Sequence, residues 1–174
     1  MCHHGWVIPV IALLGQGRGA RFAVLQHRLA IARTTLSRAL NAATRLDLLM
    51  RNPGYGHPLR PEYLLTPRGE TVAPACGDVV EAAASLEPPE LGRRKWTLPM
   101  LAALETGGSR WSHLQERLPG CSPRALAQSL DELHAAGWVL REVLDERPPR
   151  PSYGLAGAAQ PLARAAAGLA EVAR

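Results

Sequence analysis

The chain has 174 residues, 47% of them apolar and 20% charged, which gives room for one medium domain or two small ones and argues against long disorder or a collagen-like fibre. A net charge of +5 and a pI near 9.7 point toward polyanionic partners. The longest apolar run, Trp6 to Leu14, is far short of the ~20 residues that cross a bilayer, and three cysteines with no CxxC argue against both a disulfide framework and export, leaving a cytoplasmic chain.

In chain order, Trp6 to Leu14 predicts a buried helix, with Pro9 tolerated near its first turn. Gly15 to Gly19 breaks it. Arg21 to Ala30 then reads as a short helix with Phe22, Leu25 and Leu29 on one face. After a tight turn, a helix from Arg33 to Leu46 turns Leu36, Leu40 and Ala43 inward. Leu48 to Arg51 and Tyr63 to Thr66 read as two short strands around a Gly/Pro-rich hairpin tip. A helix from Pro67 to Leu86 closes the unit.

The chain then repeats itself. Trp6-Val-Ile-Pro9 returns as Trp96-Thr-Leu-Pro99, and Arg21-Phe22 with Leu25-Gln26 returns as Arg110-Trp111 with Leu114-Gln115. Thr35 to Leu40 matches Ala125 to Leu130, and Arg60-Pro-Glu-Tyr63 matches Arg150-Pro-Ser-Tyr153. Four blocks in one order at offsets of 89 or 90 residues predict two tandem copies of one domain, residues 1–87 and 88–174, meeting at the Pro/Gly-rich Glu87 to Gly92. In the second copy, Ser122 is placed as an N-cap with Pro123 in the first helical position. Trp96, Trp111 and Trp138 match Trp6, Phe22 and Leu48, which makes them core residues. Three helices, a hairpin and a closing helix is the order of a winged helix-turn-helix. The expected fold is therefore mainly α with small β-hairpin wings (α+β), a tandem winged helix-turn-helix with pseudo-two-fold symmetry.

Gly92 to Pro99, Arg110 to Gln115, Cys121 to Leu126, Leu130 to Leu133, Ala136-Gly137 and Arg150 to Tyr153 together resemble the HxlR-type branch of MarR-like winged-helix regulators. Copy one resembles it through Arg21 to Gly69. The resemblance implies bacterial transcription regulation by homodimers with one winged helix per subunit. Two copies in one chain depart from that pattern and suggest an internal pseudo-dimer, leaving a monomeric pseudo-dimer and a homodimer both open. Some members of the family sense oxidants through an N-terminal cysteine; Cys2 stands only four residues before Trp6, closer than that placement.

With the apolar positions inward, 100° per residue turns Thr34, Arg38, Asn41 and Arg45 outward on the third helix of copy one, flanked by Arg33 and Ser37. Arg suits guanine and Asn suits adenine. The same geometry exposes Arg124, Gln128, Asp131 and Ala135 in copy two, a formally neutral face. Arg51, His57 and Arg60 charge the first wing; Arg141, Arg147 and Arg150 charge the second, diluted by Glu142, Asp145 and Glu146. The expected partner is double-stranded DNA, read mainly by copy one, in a nucleoid-associated repressor that occludes promoters. The alternative is a protein-interaction adaptor, with a protein partner held through copy two, and the bland reading of both faces is the solvated side of an amphipathic helix. Only Lys95 among twenty basic residues is lysine; arginine forks suit phosphate and guanine, though a GC-rich coding sequence gives the same bias.

Other motifs carry less. Gly15-Gln-Gly17-Arg-Gly19-Ala20 fits a dinucleotide-binding turn only if a strand precedes it, and an acid ~20 residues onward is missing. Cys2, His3 and His4 are three adjacent residues without a partner cluster, so neither a metal nor another cofactor is expected. Cys121 precedes an N-cap, where a helix N-terminus can lower a thiol's pKa, but a plain small residue is the favoured reading there. The scattered histidines match no hydrolase spacing, and no enzyme is expected.

Overall fold

The computed structural model describes residues 5–17, 19–52, 62–107, 110–144 and 150–173. Helix α1 (Val7–Gly15) buries Val7, Ile8, Val10, Ile11, Ala12 and Leu14. A helix apolar on nearly every side has to be central, and α1 is packed over by α3, α4 and the sheet. Strand β1 (Ala20–Arg21) leads into α2 (Phe22–Leu29), of which Leu25 is the fully buried residue while Phe22 and Leu29 are half-buried. Arg21, expected in this helix, is extended instead and pairs with Glu62. A two-residue strand is too short to leave a period in the sequence.

Helix α3 (Arg33–Arg45) buries Leu36, Ala39, Leu40, Ala42 and Ala43. Strands β2 (Leu49–Arg51) and β3 (Glu62–Leu65) pair antiparallel, Leu49 opposite Leu65 and Arg51 opposite Tyr63, giving the sheet order β1-β3-β2. Helix α4 (Pro67–Ala84) starts at a well-made cap: the Thr66 hydroxyl accepts from the Gly69 amide at 3.0 Å and donates to the Asp47 carbonyl at 2.6 Å. Gly69 is required there, because a Cβ would stand 1.9 Å from the Leu48 carbonyl oxygen.

The second copy repeats this order after a 3₁₀ turn at Leu91–Arg93. Helices α5 (Thr97–Glu105), α6 (Trp111–Arg117) and α7 (Pro123–Ala135) are followed by β4 (Val139–Leu144) and β5 (Arg150–Leu155), paired Val139 to Leu155 through Leu144 to Arg150. An Arg110–Ser152 bridge stands where β1 meets β3 in copy one. The closing helix α8 (Gln160–Val172) begins later than α4 relative to its wing, after a 3₁₀ turn at Gly157–Ala159. The physical reason is the cap: Ala156 occupies the place of Thr66 and has no hydroxyl to hold the first turn open as α-helix.

One apolar core runs through both copies. Helix α4 packs on α1, α8 packs on α5, and α4 and α8 pack on each other, so the closing helices join the copies. Around this seam the Trp138 indole donates to the Glu87 carbonyl at 2.7 Å, and the Arg93 guanidinium lies 4.7 Å from the Trp6 ring centre. Trp138 is buried in the core, whereas Trp96 and Trp111 are half-buried against it. Residues Val7–Gly15 are helical, so the glycine-rich stretch after them follows a helix and cannot be a strand-to-helix nucleotide turn. Among the described residues, no helix is long and apolar enough to cross a membrane.

Candidate nucleic-acid interface

Helix α3 owes its orientation to a strict division of faces. Its buried side chains are all Leu or Ala, while Arg33, Thr34, Arg38, Asn41 and Arg45 are exposed and Ser37 is half-buried at the edge. The Arg33 guanidinium sits 5.5 Å from the Phe22 ring centre, an arrangement that holds a cation at the start of the helix. Near the other end, Thr44 turns back to donate to the Leu40 carbonyl at 2.9 Å. Arg51 is exposed at the end of β2, and beside it the Asn52 amide donates to Glu62 Oε2 at 3.1 Å. Three arginines are thus exposed on this helix and a fourth on the strand that follows it. His57 and Arg60, expected at the wing tip, lie outside the described residues.

Copy two builds the same scaffold with different chemistry. The Ser122 hydroxyl accepts from the Ala125 amide at 3.2 Å and Pro123 fills the first helical position, as the sequence predicts. Leu126, Leu130 and Leu133 are buried, and Arg124, Gln128, Asp131 and Ala135 are exposed. Arg141 is exposed on β4 opposite Tyr153. Burial pushes the Tyr153 phenol up; Arg141 opposes that shift and Asp131 adds to it, so one ring senses both the helix and the wing strand. Arg150 pairs with Leu144 in the ladder, but its side chain, like Arg147 as a whole, lies outside the described residues.

Aligned at an offset of 90, the two faces differ in charge. Arg33, Arg38 and Arg45 stand where copy two has Pro123, Gln128 and Ala135; Asn41, Ala42 and Asn52 stand where it has Asp131, Glu132 and Glu142. Two contacts in copy two converge on one side chain. Glu132 Oε1 accepts from Gln128 Nε2 at 3.1 Å and from Arg94 Nη1 at 2.7 Å. The first partner was legible as an i, i+4 pair, but Arg94 lies 38 residues away in sequence and only the fold brings it there. The thiol of Cys121 is free and buried. Burial pushes it up and Lys95 pulls the other way, which fits a plain small buried residue rather than an activated thiol. Cys2, His3 and His4 lie outside the described residues.

The HxlR-like helix-turn-helix family model matches the chain twice, over residues 2–89 and 91–173. The chain belongs to the HxlR-like helix-turn-helix family. Among relatives, an uncharacterized HTH-type transcriptional regulator of Methanothermobacter thermautotrophicus is 39% identical over 61 residues, which is 35% of this chain and 47% of that protein. The uncharacterized HTH-type transcriptional regulator YvaP of Bacillus subtilis is 34% identical over 70 residues, 40% of this chain and 65% of its own length. YtfH of Escherichia coli, with the same description, is 32% identical over 77 residues, 44% and 61% of the two chains. The chain thus spans about half to under two thirds of the relatives it matches. No solved structure matches it.

Proposed function

We propose that this HxlR-like chain is a sequence-specific double-stranded DNA-binding transcriptional regulator, acting in the cytoplasm on the nucleoid as a repressor that occludes promoters. The observation that carries the reading is the outer face of α3: Arg33, Thr34, Arg38, Asn41 and Arg45 exposed on a helix whose other side is locked into the core, with Arg51 beside it. Such a face offers guanine- and adenine-directed groups to a major groove and cations to the phosphates. The printed names of the relatives support the regulator class. Two units, residues 1–87 and 88–174, would replace the two subunits of a dimer, because the α4–α8 packing already joins them in one chain. Their recognition helices would enter grooves about 34–36 Å apart. Copy one would carry most of the affinity.

Selection from a random double-stranded DNA library, followed by titration of the winners against salt, tests this reading. Enrichment of an asymmetric two-part site supports it; absence of binding at low salt removes it. Arg38→Ala is expected to weaken the selected site by ~1–3 kcal/mol if Arg38 reads a guanine, and Gln128→Ala by less. Equal small losses would show that neither helix reads bases in this way. A second reading, a protein-interaction adaptor working through copy two, is favoured by Asp131, Glu132 and Glu142 on a surface where phosphate binding calls for cations. Failure to bind DNA with retention of the fold would leave it in possession.

A further inference from the structure

We propose that Glu132 is the residue that weakens DNA binding by copy two, holding Arg94 away from the phosphate backbone and Gln128 away from a base edge. The inference rests on the reading of the chain as a DNA-binding regulator and names the side chain that makes its two halves unequal. Glu132 lies on the flank of α7, one turn from the exposed Gln128, and a single oxygen, Oε1, takes both the Gln128 amide at 3.1 Å and the Arg94 guanidinium at 2.7 Å. Arg94 stands just before α5 with its side chain 55% exposed, against 27% for Glu132, so the cation is within reach of solvent and of any polyanion laid along α7. In copy one, the matching position is Ala42, which is buried and sends nothing toward Arg38. Among the described residues, the recognition face of copy one shows no equivalent restraint.

The pair's own strength does not decide the outcome. An exposed ion pair contributes only ~0–1 kcal/mol, which a phosphate could displace. Displacement, however, leaves a bare carboxylate beside the helix that should face the backbone, with Asp131 next to it. Like-charge juxtaposition at an interface is what suppresses binding. With Glu132 gone, Arg94 becomes free to neutralise a phosphate and Gln128 recovers its Nε2 donor for a base edge.

The experiment uses the full chain and the duplex it selects, with affinity measured across a salt series for the wild type, Glu132→Ala, Glu132→Gln, Arg94→Ala and the double variant Arg94→Ala/Glu132→Ala. Both Glu132 variants are expected to bind about tenfold tighter at low salt, as a new charge-assisted phosphate contact would give. Their log–log salt slope should steepen by about 0.9, the signature of one more neutralised phosphate. Arg94→Ala alone should weaken binding with the slope unchanged, and the double variant should return to the wild-type slope. If the wild type binds its selected site but the Glu132 variants match it in affinity and slope, this role for Glu132 is wrong while the regulator reading stands. A steeper slope that persists in the double variant would equally overturn it, because Arg94 would not be the released cation. If neither wild type nor variants bind any duplex, both readings fall.

Discussion

Ala30 and Asp47 hold left-handed backbone conformations, with φ of 51° and 55°, at the turns before and after the recognition helix of copy one. Ninety residues on, the same two turns are made by Gly120 and Gly137, with φ of 83° and 71°. Both turns thus carry a strained Cβ in copy one and none in copy two. A non-glycine residue in this region costs ~1–3 kcal/mol, partly offset by the extra entropy glycine loses on folding. At Gly137 a Cβ would meet nothing within 4 Å, so only the backbone conformation is at stake. Gly137→Ala is accordingly expected to lower unfolding free energy by about 1 kcal/mol, read from the denaturant midpoint at constant m-value. An unchanged midpoint would show that the turn relaxes without cost.

At the scale of elements, α4 and α8 are the same helix written twice, and their differences are local. Val72, Ala73, Cys76 and Val79 are buried in one, Leu162, Ala163, Ala166 and Leu169 in the other, at a constant offset of 90. On the neighbouring face, Gly15 and Pro74 border a cleft of about 720 Å³ in copy one; their counterparts Glu105 and Arg164 form an ion pair at 3.9 Å in copy two. Gly77 also lines that cleft, with open space where a Cβ would go, and copy two has Ala167 in its place. Glycine inside a helix costs about 0.5–1 kcal/mol relative to alanine. Gly77→Ala should therefore stabilise the chain by that amount, seen as a higher thermal midpoint; a lower one would mean that the added methyl disturbs the α1–α4 packing.

At the scale of the whole molecule, two titrating groups with shifted pKa values sit in copy two. Burial raises the Cys121 thiol above its ordinary 9.0 and the Tyr153 phenol above its ordinary 10.0. Each group holds its proton more tightly when folded than when unfolded. Their contribution to stability is then complete below the unfolded pKa and is lost as pH rises through the folded one. Unfolding free energy is expected to fall with pH above about 9, and Cys121→Ala should flatten the first part of that decline. A wild-type profile that stays level from neutrality to pH 10 would contradict the assignment. Because α4 and α8 join the copies through one continuous core, we expect this loss to appear as one transition for the whole chain.

Much of this architecture was legible before any coordinates, because it depends on periodicity. Leu36, Leu40 and Ala43 recur at helical spacing and are buried; Arg38, Asn41 and Arg45 fall opposite them and are exposed. The cap at Ser122 was equally plain, since a hydroxyl followed by proline satisfies the geometry of a helix start without help from elsewhere. Strand β1 was not legible, since two residues carry no alternation and the pairing of Arg21 depends on Glu62, 41 positions away. Nor was the state of Cys121: sequence places it beside a helix N-terminus, but desolvation by the packed core decides the sign of its shift. The meeting of Arg94 with Glu132 and the packing of α4 on α8 belong to the same class. The duplicated elements and the apolar face of each could be read from the amino-acid order, because those follow from residues three and four apart. Tertiary structure alone decided which charges neutralise one another and how the copies join, because Coulomb energy and burial depend on distance through space between groups far apart along the chain.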